Sequence, residues 1–230
     1  MSKKDPGHDR KDRDVLDQLG EMIGEQIAKG RRKLKELGSD GKKKGDDDNF
    51  MGYMRVFLDD KGVAAVTPSS KYLVGRVVKA MDLEHSKVIV EYGAAEGVMT
   101  RRILAKMRPD ARLIAIEFNK KLYDELVATV SDPRMVAVHG DVREIDKILA
   151  AHGVTQADVI ISGVPFAFFT GRGRHELLSK TAELLRPGGR FVPYQVTTHL
   201  IPLLKDYFTD VDTKFEVLNI PPHFVFTAIK

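Results

Sequence analysis

In Val88-Ile89-Val90-Glu91-Tyr92-Gly93-Ala94-Ala95-Glu96-Gly97, a β-branched apolar stretch gives way to small residues and then to helix-period sequence. That order lets a backbone approach a ligand at the carboxyl edge of a sheet, since no bulky side chain stands between them. About twenty residues past Gly97, the run Leu113-Ile114-Ala115-Ile116 ends at Glu117, whose carboxylate suits two ribose hydroxyls. A third run ends in His139-Gly140-Asp141 with Val142 beside it, and Asp141 there can accept from the exocyclic amine of adenine. Tight strand-to-helix packing accounts for the small residues alone but leaves the acid at the next strand end unexplained. The set points to a cofactor that carries a nucleoside.

Two cofactor chemistries use that sheet edge. A dinucleotide brings a pyrophosphate to the loop, where Glu91 and Glu96 place negative charge. The same carboxylates suit the ammonium on the methionine part of S-adenosylmethionine (SAM), so a methyl donor is expected rather than a hydride carrier.

Methyl transfer needs an acceptor held in line with the donor, with water excluded. Ser162-Gly163-Val164-Pro165-Phe166, after the fourth apolar run, is the candidate. Its backbone carbonyls can hold an amine with the lone pair toward the methyl, and Pro165 removes a competing N–H. Phe166, Phe168 and Phe169 offer aromatic faces to an increasingly cationic methylated amine, worth about 0.5–2 kcal/mol per contact, with ordinary core packing as the competing role. Arg172 and Arg174, in Gly171-Arg172-Gly173-Arg174-His175, can clamp a phosphate from the loop beyond that turn. An alkylamine with a pKa of about 10 must also lose a proton. Tyr194, at the end of the fifth strand, is the first proton acceptor to test, ahead of His139, His175, His199 and His223.

The elements that position these residues follow from periodicity. Strands are expected at 87–92, 112–117, 134–139, 158–162 and 190–196, alternating with helices at 98–107, 120–130, 142–151 and 174–185, with a Pro187-Gly188-Gly189 turn before the fifth strand. Thr67-Pro68-Ser69-Ser70 supplies cap residues for a helix ahead of the first strand, and another helix is expected at 199–208. Runs at 214–220 and 224–229 are separated by only Pro221, Pro222 and His223, too few for a crossover helix, so they must pair antiparallel. The fold class is α/β: a Rossmann-like, seven-stranded, mostly parallel sheet ending in an antiparallel hairpin, with helices on both faces.

Residues 1–49 differ in kind, with 13 Lys+Arg, 12 Asp+Glu and few apolar side chains. Within them, residues 15–37 read as an amphipathic helix and 38–49 as a flexible linker. Residues 29–44 carry 8 Lys+Arg against 2 Asp+Glu, so the helix is expected to dock reversibly on an anionic membrane surface, with docking on protein as the alternative. A short helical lid is expected at 50–66, and the catalytic domain at 67–230.

The whole chain has 230 residues, 37 Lys+Arg against 33 Asp+Glu, and no Cys. Disulfides, thiolate metal sites and Cys nucleophiles are thereby excluded, and no metal is expected. The first fifteen residues lack the apolar stretch of a signal peptide, and the largely apolar segment 159–169 is broken by Ser162, Gly163 and Pro165. No span is expected, and the expected location is cytoplasmic, peripheral at the inner face of the membrane.

Residues 67–230 resemble the class I SAM-dependent methyltransferases. Glu91-Tyr92-Gly93-Ala94-Ala95-Glu96-Gly97 is similar to that family's E/D-x-G-x-G-x-G loop, with Ala95 in place of the middle glycine. Glu117 resembles its ribose-binding acid and Asp141 its adenine-binding acid. A closer resemblance is to the bacterial phospholipid N-methyltransferases and the related ornithine-lipid enzymes. It rests on Thr67-Pro68-Ser69-Ser70, Ser162-Gly163-Val164-Pro165-Phe166 and Asn219-Ile220-Pro221-Pro222 as a set. It implies methylation of an amine-bearing membrane lipid, phosphatidylethanolamine or ornithine lipid. The rRNA adenine dimethylases are the runner-up, but their Asn-hydrophobic-Pro-aromatic signature needs Asn where this chain has Gly163, which disfavours a nucleic-acid partner. A non-catalytic SAM-binding scaffold at the membrane is the alternative of a different class.

Overall fold

Nearly every residue of β1 (Val88–Tyr92) and β2 (Arg112–Glu117) is buried, whichever face it points to, as in strands covered by helices on both sides. The computed structural model describes residues 69–230, which lie in the compact unit Thr67–Lys230. The helix expected at 15–37, the linker at 38–49 and the lid at 50–66 lie outside the described residues.

With β3 (Met135–His139), β4 (Ala157–Ser162), β5 (Leu185–Gln195), β6 (Asp210–Glu216) and β7 (His223–Ile229), these strands make one seven-stranded sheet in the order β3-β2-β1-β4-β5-β7-β6. Every neighbouring pair is parallel except those of β7, which runs antiparallel to β5 and β6. Helices α1 (Lys71–Ala80), α2 (Val98–Leu104) and α3 (Lys120–Thr129) bury Leu73, Val77, Met99, Ile103 and Leu126 against one face. On the other lie α4 (Ile145–Ala151), α5 (Gly171–Leu184) and α6 (Leu200–Tyr207), with Tyr92 reaching Thr181 of α5 by a 3.2 Å hydroxyl contact. The chain leaves β1 toward β2 and β3, then returns to β4 on the opposite side. The switch point therefore lies at the carboxyl ends of β1 and β4, where such sheets bind ligands.

Local chemistry accounts for the ends of these elements. Ser70 caps α1 by accepting from the Leu73 amide at 3.2 Å, and Asn119 caps α3 by accepting from Lys121 and Leu122. The segment expected as one helix at 142–151 is a 3-10 turn, Val142–Glu144, followed by α4, because Asp141 caps the turn through the Arg143 amide. Pro187-Gly188-Gly189 lies inside β5 rather than ahead of it. Ala157 pairs with Leu185 and Val159 with Arg190, so β5 takes five steps where β4 takes two. Gly188, with φ of 71°, and Gly189, whose Cβ would meet the Arg186 carbonyl at 2.8 Å, absorb the extra residues.

The hairpin is antiparallel as expected, but its first strand is displaced toward the N-terminus. It spans Asp210–Glu216 instead of 214–220, and the connection is Val217 to Pro222. Polar side chains turn the chain early: Glu216 accepts from the Leu218 amide at 2.9 Å, and Asn219 accepts from the Ser70 amide at 2.8 Å. The apolar residues 217, 218 and 220, read as strand, face outward instead.

Candidate functional site

The glycine loop folds across the end of β2. Gly93 and Ala94 donate their amides to the Ile116 carbonyl at 2.9 and 3.1 Å, and Gly97 donates to Ala94 at 2.9 Å. Gly93 (φ 75°) and Gly97 (φ 86°) take left-handed backbone, and a Cβ on Gly97 would meet Leu126 at 2.7 Å. Ala95 also takes a positive φ, 47°, despite its Cβ. Its amide donates to Glu117 Oε2 at 2.8 Å, while Glu117 Oε1 accepts from Asn119 at 2.7 Å. Glu117 is almost fully buried, and burial pushes its carboxyl above the usual range against the pull of these amides.

Glu91, in β1 just ahead of the loop, is buried at 2% exposure and accepts from the Thr100 hydroxyl at 2.7 Å. Burial pushes its carboxyl up to about 7, reinforced by the Glu117 charge and opposed by Thr100. Such a group gains most from a cation brought beside it. At the end of β3, Gly140 donates to the Glu117 carbonyl at 3.1 Å, which brings Asp141 and the buried Val142 to the same edge. The Asp141 carboxylate is gripped by Arg143, with Nη2 at 2.6 Å.

Across the switch point, Gly163 donates to the Tyr92 carbonyl at 3.0 Å, so the turn after β4 lies against the glycine loop. Ser162 is buried, and its hydroxyl accepts from the Val164 amide at 3.3 Å. A Cβ on Gly93 would touch Val164 at 3.0 Å. A Cβ on Gly163 would stand 2.5 Å from the Tyr194 hydroxyl oxygen and 3.1 Å from its Cζ. Only glycine at 163 leaves room for that phenol. Gln195 grips both sides of Pro165, accepting from the Phe166 amide at 3.2 Å and donating to the Val164 carbonyl at 3.0 Å.

A family profile described as "Methyltransferase domain" matches residues 89–189, which contain both the loop and the turn. An ornithine lipid N-methyltransferase of Singulisphaera acidiphila is 31% identical over 183 residues, covering 76% of this chain and 92% of that protein. The chain belongs to the class I SAM-dependent methyltransferases. A ribosomal RNA small subunit methyltransferase A of Geobacter metallireducens is 29% identical over 126 residues, or 50% of this chain and 44% of that one. Among solved structures, a Burkholderia thailandensis 1,6-didemethyltoxoflavin-N1-methyltransferase superposes with a TM-score of 0.60 at 18% identity, covering 83% of this chain and 92% of that one, which supports the fold.

SAM is the methyl donor of this methyltransferase, and the site's own residues fit it. Left-handed glycines open the loop, the carboxylate of Glu117 stands at the end of β2, and buried Glu91 is short of a counter-charge. Among the described residues no cluster of His, Asp and Glu could hold a metal ion.

Other expected site residues take less direct places. Phe166 and Phe169 are each 3% exposed and pack on one another with centroids 5.6 Å apart, and Phe166 also packs on Phe191 at 6.1 Å. In this conformation they build the floor of the turn. Phe168 falls on the 3-10 turn Phe166–Phe168, and its side chain lies outside the described residues. Arg172 and Arg174 stand in the first turn of α5, not in a loop, because Thr170 caps the helix through the Gly173 amide at 3.0 Å. Arg172 pairs with Glu176 at 2.6 Å, and the Arg174 guanidinium reaches the Thr170 carbonyl at 3.5 Å.

Burial pushes the Tyr194 phenol well above its ordinary pKa, the nearby Glu91 charge adds to this, and Ser69 hydrogen-bonds its hydroxyl. The phenol thus stays protonated, which suits positioning rather than proton uptake. His223 stacks obliquely on Tyr194 with centroids 6.0 Å apart. Its Nδ1 lies 2.8 Å from the Pro221 carbonyl and 3.1 Å from Asn219 Nδ2; the carbonyl contact is a hydrogen bond only in the Nδ1–H tautomer, in which Nε2 is the ring's acceptor. Burial holds His223 below the usual imidazole range. His139 contacts the Phe118 carbonyl at 3.0 Å and His175 the Tyr207 hydroxyl at 2.8 Å. Sequence reasoning missed Gln195 and the tie of Asn219 to Ser70; the only available signal was a polar residue directly after Tyr194 at a strand end.

Proposed function

We propose that this methyltransferase N-methylates the head-group amine of a membrane lipid, phosphatidylethanolamine or ornithine lipid. The observation that carries the reading is the phenol of Tyr194 against the bare backbone of Gly163. A dimethylase of adenine uses an Asn at that position, whose side chain would need the space Tyr194 fills. A small tetrahedral amine needs no reader of a flat base edge, and backbone carbonyls with one hydroxyl suffice to orient it. The 31% identity to an ornithine lipid N-methyltransferase supports the same substrate class.

When bound, SAM supplies a methyl on a sulfonium, so the N–C bond forms as the S–C bond breaks and a neutral thioether leaves. The chain's part is placement. Glu91, Gly93, Ala95, Gly97, Glu117, Asp141 and Val142 hold the donor, and the Ser162–Phe166 turn, clamped by Gln195, presents carbonyls to the amine. Tyr194 fixes the amine's approach, and neutral His223 is the ring able to take its proton. Arg172 and Arg174 meet the lipid phosphate or carboxylate, and the segment of Phe168 and Phe169 reaches the methylated head group only when the turn opens from the packed conformation. Among the described residues no helix is long and apolar enough to cross a membrane. In this reading the enzyme works peripherally at the cytoplasmic face of an anionic membrane, with residues 15–37 contributing attraction.

Mass spectrometry of lipids and rRNA from cells expressing the protein tests this. A methylated aminolipid is expected; methylated adenine with unchanged lipids would transfer the assignment to rRNA. Release of S-adenosylhomocysteine on no extract at all would leave a SAM-binding scaffold.

A further inference from the structure

The connection between β6 and β7 is inside out. Glu216, the last residue of β6, and Asn219 within the connection are 4% and 3% exposed, while Val217, Leu218 and Ile220 are 59%, 57% and 76% exposed. These three are among only five large apolar side chains that stand exposed in the described residues. A fourth, Tyr72, sits in the first turn of α1, and α1 begins next to this loop through the Ser70 to Asn219 hydrogen bond of 2.8 Å. A water-facing turn would place its polar groups outward. Here they are spent on rigidity. Glu216 binds the Leu218 amide and the Arg76 guanidinium at 2.9 and 2.7 Å, and Asn219 donates to the Pro221 carbonyl at 2.8 Å. The apolar side chains are thereby held out on a braced frame.

We propose that Val217, Leu218 and Ile220 form a wedge that enters the interface of an anionic bilayer and seats the active edge on its substrate. The inference rests on the reading of the substrate as a membrane lipid. Charge selects this occupant: α1 carries Lys71 and Lys79 and no carboxylate, Arg76 being paired with Glu216, and Lys71 lies over the Tyr72 ring at 5.2 Å. An apolar tip rimmed by lysine and tyrosine matches the acyl boundary below and anionic head groups above. Position also selects it. Ile220 is three residues from His223, a reach of at most about 10 Å, and His223 stacks on the Tyr194 that covers Gly163. A lipid beside the wedge thus has its head group within reach of the turn without leaving the membrane.

The chain contains no Trp, so a single introduced indole reports one position. In the full chain, Ile220→Trp is expected to blue-shift on vesicles of phosphatidylglycerol and phosphatidylethanolamine, and to be quenched by lipids brominated on the upper acyl chain. Val127→Trp, on α3 near the other end of the sheet and 49% exposed in the parent, should do neither. The double variant Leu218→Asp/Ile220→Asp should bind these vesicles at least about tenfold more weakly. It should keep its affinity for SAM and its S-adenosylhomocysteine release on a water-soluble, short-chain aminolipid. An unshifted Ile220→Trp, or unchanged vesicle affinity of the double variant, overturns the wedge. So does a blue shift without vesicles that grows with protein concentration, which would assign the patch to a second copy. Failure of the substrate reading is separate, since it would appear as absent product on every lipid whatever the vesicle binding.

Discussion

The Glu117 carboxylate accepts the amide of Ala95 at 2.8 Å, so the acid at the end of β2 and the left-handed turn of the glycine loop are one mechanical unit. Ala95 holds a φ of 47°, a region that costs a residue with a Cβ about 1–2 kcal/mol. Ala95→Gly removes that cost but adds freedom to the unfolded chain, worth up to about 1 kcal/mol. The balance is expected within about 1 kcal/mol of zero, whereas Ala95→Val, β-branched in the same conformation, should lose at least about 2 kcal/mol. Urea denaturation compares the three proteins. Equal stability of the valine variant would mean that the loop relaxes out of the left-handed region.

Removing the acid should cost more than its ribose contact. Glu117→Ala leaves the Ala95 and Asn119 amides without their acceptor, at about 1–3 kcal/mol for each that stays buried. SAM affinity is expected to fall at least about tenfold by calorimetry. Glu117→Gln should lose most of the same affinity, because its NH2 would face one of the two amides as donor against donor. Full affinity in Glu117→Ala would remove this residue from the cofactor site.

Much of this candidate site is legible because strands and acids repeat in step: Glu91, Glu117 and Asp141 stand at or just past the ends of continuous apolar runs, and the sheet brings those ends to one edge. What escaped the sequence lay in side-chain hydrogen bonds between distant segments. Glu216, Asn219 and Ser70 together displace β6, yet they are 3 to 149 residues apart and no local pattern links them. The polar strand Asp210–Glu216 escaped because it is an edge strand, with little burial to impose alternation. The sequence starts this helix only at residue 174, since Gly171 and Gly173 flank Arg172, whereas one Thr170 hydroxyl outweighs that propensity and starts α5 at Gly171.

Glu91 gives the enzyme a pH signature. Its folded pKa of about 7 lies above the ordinary carboxyl value of 4.5, so the folded state holds a proton that the unfolded chain releases. Stability without cofactor should therefore fall as pH rises from about 4.5 to 7 and level off above, by about 3 kcal/mol for full ionisation of this group. Cofactor affinity should run the other way, because the ammonium of SAM or S-adenosylhomocysteine favours the carboxylate. Affinity is expected to rise up to about tenfold per unit until pH 7 and then flatten, with Thr100, Glu117 and Glu96 as the neighbouring groups. Calorimetry from pH 5.5 to 8 measures this. Glu91→Gln should bind more weakly and without that slope; an identical slope in the variant would assign the proton to another group.

Gly163 and Tyr194 should behave as one site in a double-mutant cycle. A Cβ at residue 163 would stand 2.5 Å from the phenolic oxygen, closer than such atoms approach in proteins, so Gly163→Ala must push Tyr194 or the turn aside. Gln195 and Ser162 brace the turn, so the strain falls on Tyr194, and methyl transfer is expected to drop at least about tenfold with SAM affinity nearly intact. Tyr194→Phe removes the hydroxyl, leaving Cζ at 3.1 Å from the new methyl, a contact that a few tenths of an ångström relieves. Tyr194→Phe alone should reduce turnover through lost orientation of the amine. Added to Gly163→Ala it should cost little further or restore part of the rate, giving a coupling of about 1 kcal/mol or more. Kinetics of the four proteins on an aminolipid, read as kcat and KM separately, decide it. Additive losses would mean that the two residues act independently and that the phenol does not define the acceptor's place.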